Sequence, residues 1–134
     1  MARKAARIAA VQMVYEHMLG GDGGAETLGG LIAFEPGNDD QAFIDRMIKG
    51  VSDHAREIDH EIEKRLKDWT MDRIAKVDLA VLRVAVYELQ FDGGETPVSV
   101  VINEAVRISQ KFSTERSGGF VNGVLRGVAD DLPA

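Results

Sequence analysis

The chain contains no cysteine. Thiol nucleophiles, disulfides and zinc–thiolate sites are therefore excluded, and the composition suits a reducing compartment such as the cytosol. Long apolar runs are also missing: no stretch approaches the roughly 20 residues that a membrane-spanning helix needs. The basic start, Met1-Ala-Arg-Lys-Ala-Ala-Arg7, is not followed by an uninterrupted apolar segment, so it makes a poor signal peptide. Aromatic residues are only 6% of the chain, which limits any surface on which nucleobases could stack. Histidine is scarce as well. His17 stands alone, while His54 and His60 are six residues apart, which on a helix places them about 120° apart around the axis. No His-Glu-x-x-His spacing occurs, so no metal site is expected, and all three histidines read as solvent-facing. The glycine clusters Gly20–Gly24 and Gly29-Gly30 lack the Lys-Ser/Thr that a nucleotide-binding loop requires, and the serines lack a nucleophile-elbow context. Nothing in the sequence assembles a catalytic constellation or a cofactor site.

What is present is helical periodicity. At 134 residues, with 45% hydrophobic and 28% charged residues, the chain fits one globular domain. Ile8, Val11, Val14, Tyr15, Met18 and Leu19 recur at three- and four-residue steps and predict a helix over residues 3–19. A glycine cluster ends it, and a short helix through Leu28, Leu31 and Ile32 is expected before a turn at Glu35-Pro36-Gly37-Asn38. Asp39 or Asp40 is expected to cap a helix carrying Phe43, Ile44, Met47, Ile48 and Val51, with a bend at Gly50. Ile58, Ile62 and Leu66 then lead toward Trp69.

Thr70 is expected to cap the next helix, with Asp72 near its positive end. That helix carries Ile74, Val77, Val81, Leu82, Ala85, Val86 and Leu89 and, as the most apolar, should sit at the centre. Thr96-Pro97 opens another helix with proline at its first position. Ser117-Gly118-Gly119 is read as a break before a final helix holding Phe120, Val121, Val124, Leu125 and Val128. The prediction is an all-α bundle of about seven helices, with halves over roughly 1–69 and 70–134.

Charge is uneven. The net charge is −6, yet the first fifteen residues hold Arg3, Lys4 and Arg7 without an acid. Residues 107–126 hold Arg107, Lys111, Arg116 and Arg126 against Glu115 alone, which leaves −12 on the remainder. Two basic segments on an acidic body suit one anionic and one basic partner; an unevenly charged solvated surface accounts for the same numbers. Cations in the first turns of a helix oppose its dipole, a cost that an anionic ligand would offset. Several polar residues lie inside apolar stretches. Arg83, Glu88, Glu104 and Asn122 are read as structural groups, the charged ones paired so as to hold helices in register, because buried charge is costly unless paired.

The segments Val77-Asp-Leu-Ala-Val-Leu-Arg-Val-Ala-Val-Tyr-Glu-Leu89, Pro97-Val-Ser-Val-Val-Ile-Asn-Glu-Ala-Val106 and Phe120-Val-Asn-Gly-Val-Leu125 together resemble the NusB family. Arg7-Ile-Ala-Ala-Val-Gln-Met-Val-Tyr15 is similar to the family's opening helix, and the resemblance runs over essentially the whole chain. It implies two packed helical bundles in one domain. It further implies a cytoplasmic, non-enzymatic antitermination factor that binds boxA-like RNA together with the ribosomal protein NusE and joins the RNA polymerase antitermination complex. A homodimer of the free protein is a further possibility that the resemblance raises.

By that resemblance Arg3, Lys4, Arg7, Lys111, Arg116 and Phe120 should carry RNA, while Tyr15, Asp72, Asp78 and Phe120 should face the protein partner. Asp78 is accordingly expected at the surface. The basic arm is shorter than in many relatives, and Gly118-Gly119 stands where larger or basic residues are common, so affinity for RNA alone is expected to be weak and to be strengthened by the partner. The competing reading is a protein-interaction module of the same fold without RNA binding. A catalytic fragment is disfavoured, since the chain carries neither cysteine nor a glycine-rich cofactor motif.

Overall fold

In the computed structural model, residues 4–20, 38–67 and 70–133 are described. Six α-helices occur among them: α1 (Lys4–Met18), α2 (Asn38–Asp53), α3 (Ala55–Glu63), α4 (Lys76–Gln90), α5 (Val98–Phe112) and α6 (Glu115–Asp130). A 3₁₀ turn, Met71–Arg73, precedes α4. The helix expected through Leu28–Ile32, the turn at Glu35–Gly37, Arg3 and Trp69 lie outside the described residues, as does the expected division between halves at residue 69.

Helix α4 is central because its sequence is apolar nearly all round. Leu79, Ala80, Val81, Leu82, Val84, Ala85, Val86 and Tyr87 are all buried, and α4 packs against each of the other five helices. Full burial of each large apolar side chain contributes roughly 1.5–3 kcal/mol. Helix α1 meets α2 and α4 through small residues, Ala6, Ala9 and Ala10, which let the backbones approach closely. Helix α5 lies against α4 and α6 through Val101, Ile102, Ala105 and Ile108. α1 and α5 both rest on α4 without packing closely on one another, and this leaves a furrow between them.

Charged pairs stitch the helices at particular heights. Arg83 of α4 donates two hydrogen bonds to Asp59 of α3, at 2.9 and 3.0 Å. Arg46 of α2 donates to the buried Asp92, just past α4, at 2.8 and 3.3 Å. Arg7 of α1 reaches Glu88 of α4 in the same forked manner.

Several boundaries differ from the sequence reading. Helix α2 already begins at Asn38, ahead of Asp39 and Asp40. The bend expected at Gly50 falls at His54, between α2 and α3, while Gly50 stays helical. There a Cβ would lie 2.1 Å from the Tyr87 ring, so glycine serves close packing at this position. Thr70 stands at the start of the 3₁₀ turn only and makes no side-chain capping bond there, its hydroxyl donating instead to the Asp72 carboxylate; Ile74 and Ala75 intervene before α4 starts at Lys76. Pro97 occupies the N-cap of α5, one residue earlier than expected. Ser117-Gly118-Gly119 is not a break: Thr114 accepts from the Ser117 amide at 3.2 Å, an N-cap bond that starts α6 before the glycines. His54, expected to face solvent, stacks on Phe91 with ring centroids 4.0 Å apart.

Candidate nucleic-acid interface

The furrow between α1 and α5 encloses about 430 Å³ and is lined by Lys4, Ala5, Ile8, Glu104, Arg107, Ile108, Lys111 and Phe112. Its construction follows from helical spacing. Lys4 and Ile8 lie four apart on α1, while Glu104, Arg107, Ile108 and Lys111 repeat at three and four along one face of α5. Ile8, Ile108 and Phe112 are half-buried or buried and form an apolar floor, with exposed Lys4, Arg107 and Lys111 at the rim. The Lys111 ammonium lies 5.4 Å from the centroid of the Phe112 ring, a cation–π distance. Glu104 is the one acid in the lining and sits 3.6 Å from Arg107 on its own helix. The furrow therefore carries net positive charge over an apolar base, an arrangement that takes phosphates at its edge and base or ribose faces within.

Beyond Ile8, Ile108 and Phe112 the furrow runs into a smaller hollow of about 130 Å³, where Val11, Gln12, Tyr15 and Val77 complete the wall. Tyr15 is half-buried there. The basic furrow and the apolar hollow thus share a floor and form a continuous surface of changing character.

Of the expected RNA-binding residues, Lys4 and Lys111 meet in this furrow although 107 positions separate them. Arg116 is exposed in the first turn of α6, just past the α5–α6 corner, and does not line the furrow. Phe120 is half-buried against the core. Arg7 is a correction: it is 5% exposed, and its guanidinium is engaged with Glu88 and Thr96 beneath the surface. The local sequence offered no sign of this, because the acid lies 81 residues away.

The expected partner-facing residues do not share one surface. Tyr15 lines the apolar hollow, whereas Asp72 is exposed in the 3₁₀ turn and borders a separate depression with Arg56, His60 and Lys76. Asp78 is a second correction. It is 5% exposed in the first turn of α4 and accepts a hydrogen bond from Ser117. Among the residues read as structural, Arg83 and Glu88 form interhelical pairs. Glu104 instead faces Arg107 on its own helix and shows no interhelical pairing of the kind expected, and Asn122, read as structural, is exposed. Arg107 was counted in the basic segment 107–126 but not among the RNA-binding residues; its position on the face of Lys111 was the available signal.

Among the described residues no group of three or more acidic or histidine side chains is arranged to hold a metal ion, and no helix is long and apolar enough to cross a membrane.

Comparison with known proteins follows the same lines. The chain is 40% identical to the transcription antitermination protein NusB of Geobacter sulfurreducens, over 98% of this chain and 96% of that protein. It is 41% identical to the corresponding protein of Anaeromyxobacter dehalogenans, over 98% and 92% respectively. Among solved structures, T. maritima NusB superposes with a TM-score of 0.84 at 30% identity, covering 100% of this chain and 94% of that one. A crystal structure of antitermination factors NusB and NusE in complex with dsRNA matches with a TM-score of 0.81 at 29% identity, covering 96% of each chain. With the NusB family match extending over residues 4–130, the chain belongs to the NusB family.

Proposed function

We propose that this chain is an RNA-binding transcription antitermination factor, an adaptor and not a catalyst, acting in the cytoplasm. In this reading it holds a boxA-like leader RNA in the α1–α5 furrow, together with the ribosomal protein NusE, and so helps RNA polymerase read through terminators. The observation that carries the reading is the meeting of Lys4 with Arg107 and Lys111 on one apolar-floored furrow. Arg116, exposed at the adjoining corner, extends the cationic rim. The Tyr15 hollow, continuous with the furrow, is the natural place for the protein partner to touch both this chain and the RNA edge. A relative was crystallised with NusE and dsRNA, which supports this pairing of ligands.

The test is a fluorescence-anisotropy titration of a boxA-like RNA oligonucleotide at several salt concentrations, with and without purified NusE. If Lys4, Arg107, Lys111 and Arg116 neutralise up to four phosphates, log K should fall against log salt with a slope of about −2 to −3. The net charge of −6 favours the second reading, an interaction module that does not bind RNA. RNA left unbound both with and without the partner would select that one.

A further inference from the structure

Arg7 has the composition of an RNA contact and the position of a structural pin. Its Nε and one terminal nitrogen donate to the two Glu88 oxygens at 3.0 and 2.9 Å, and the same terminal nitrogen donates to Thr96 Oγ1 at 3.1 Å. The side chains of the pair are 6% and 2% exposed. The guanidinium also lies 5.2 Å from the centroid of the Phe43 ring. Val101, Ala105 and Ile108 of α5 border the pair across a void of about 10 Å³, at or below the size needed to admit a water molecule. One buried fork therefore joins α1 to α4 and to Thr96, the residue that leads into α5, directly beneath the helix that forms the far wall of the furrow.

Lys4 stands one helical turn before Arg7. The height and roll of that turn are set by where Arg7 is held, and a forked guanidinium–carboxylate pair specifies both distance and orientation. We propose that Arg7, Glu88 and Thr96 are positioning residues for nucleic-acid binding: they hold Lys4 across from Arg107 and Lys111 without touching the ligand. The proposal rests on the RNA-binding reading above.

Its distinguishing feature is a reversal of sign. Removing the charge of Glu88 deletes an acid close to a cationic furrow, so through-space electrostatics alone predicts tighter RNA binding. Loss of positioning predicts weaker binding.

The test uses the full chain with NusE and a boxA-like RNA oligonucleotide, comparing wild type, Glu88→Gln, Thr96→Val, Lys4→Ala and the Lys4→Ala/Glu88→Gln double variant. Glu88→Gln should weaken binding about three- to five-fold and flatten the salt slope by about 0.7, as loss of one exposed charge contact would. In the Lys4→Ala background it should have no further effect, a non-additivity that general destabilisation does not produce. Thr96→Val keeps the buried charges paired and should shift binding in the same direction by a smaller factor.

Cross-linking of Lys4 to Lys111 with a short amine-reactive reagent, in the absence of RNA, should drop in Glu88→Gln relative to wild type. Equal or tighter RNA binding by Glu88→Gln, additive effects in the double variant, or unchanged cross-linking would each overturn the proposal. A wild-type chain that fails to bind this RNA with NusE overturns the functional reading itself, an outcome distinct from these.

Discussion

Asp78, in the first turn of α4, accepts a hydrogen bond of 2.8 Å from the Ser117 hydroxyl in the first turn of α6, 39 residues away. Ser113 and Thr114 hydroxyls lie 3.1 and 3.0 Å from the same Ser117 oxygen, so the corner between α5 and α6 closes over a small polar cluster. The carboxylate also sits where the helix dipole favours negative charge. Removing one partner from a buried hydrogen bond strands the other, at a cost of about 1–3 kcal/mol. Asp78→Ala and Ser117→Ala should therefore lower the urea midpoint, and NusE binding should decline only as far as folding does. A variant with an unchanged midpoint but lost NusE affinity would return Asp78 to the surface.

The same residue shows how far the sequence could be read. Helices α1, α4 and α5 were legible because three- and four-residue apolar spacing is a local property, and α4 was placed at the centre for its all-round apolarity. Arg7 and Asp78 were assigned to the surface by the family resemblance alone; their actual partners lie 81 and 39 residues away, and local pattern carries no information about which distant side chain a charge will meet. Only one turn of helix separates exposed Lys4 from buried Arg7. The furrow itself was half legible. Its cations were visible in the two basic segments, but its apolar floor required knowing that α1 and α5 flank the same helix.

Two glycines in helices make opposite predictions. At Gly50 a Cβ would fall 2.1–2.2 Å from Tyr87 ring atoms, a contact relieved only by moving the buried Tyr87 ring or the helices that carry the two residues. Gly50→Ala should cost about 1–3 kcal/mol as an overpacked core does. Gly123 lies within α6 with nothing within 4 Å of its Cβ direction. Gly123→Ala should stabilise by up to about 1 kcal/mol through helix propensity and reduced unfolded-state entropy. Urea denaturation of the two variants settles both; equal midpoints would contradict the close approach at Gly50.

Acid should loosen the contact between α3 and the end of α6. Arg65 donates to Glu61 at 3.0 Å and to Asp131 at 2.6 Å. Burial pushes the Glu61 carboxyl up, but hydrogen bonds from Lys64 and Arg65 outweigh this and hold it below its ordinary value. The hydrogen bond from Arg65, then its charge, holds Asp131 below the ordinary range. Because both folded-state values lie under the unfolded ones, the contribution is complete above about pH 5 and is lost as pH falls through the depressed values. Arg65→Met should be less stable than wild type at neutral pH, and the difference should shrink as the buffer is taken below about pH 5. The Arg65 side chain also lies close beside Gly127 of α6, where an added Cβ would be 3.2 Å from it; a gap that stays constant across that range would show that Arg65 acts by this packing and not by charge.

The furrow makes a quantitative claim about salt. Each phosphate neutralised on a single strand contributes about 0.7 to the slope of log K against log salt, so a residue's role can be read from the change in slope and not from affinity alone. Lys4→Ala and Lys111→Ala should each reduce the slope by about that amount, since both line the same rim. Arg126→Ala supplies the control. It removes an equal charge from an exposed site on α6 that does not line the furrow, so the slope should hold and affinity should change by less than either lysine variant. If Arg126→Ala flattened the slope as much as Lys111→Ala, RNA would be following the general field of the basic segment along α6, and the furrow would lose its claim to be the track.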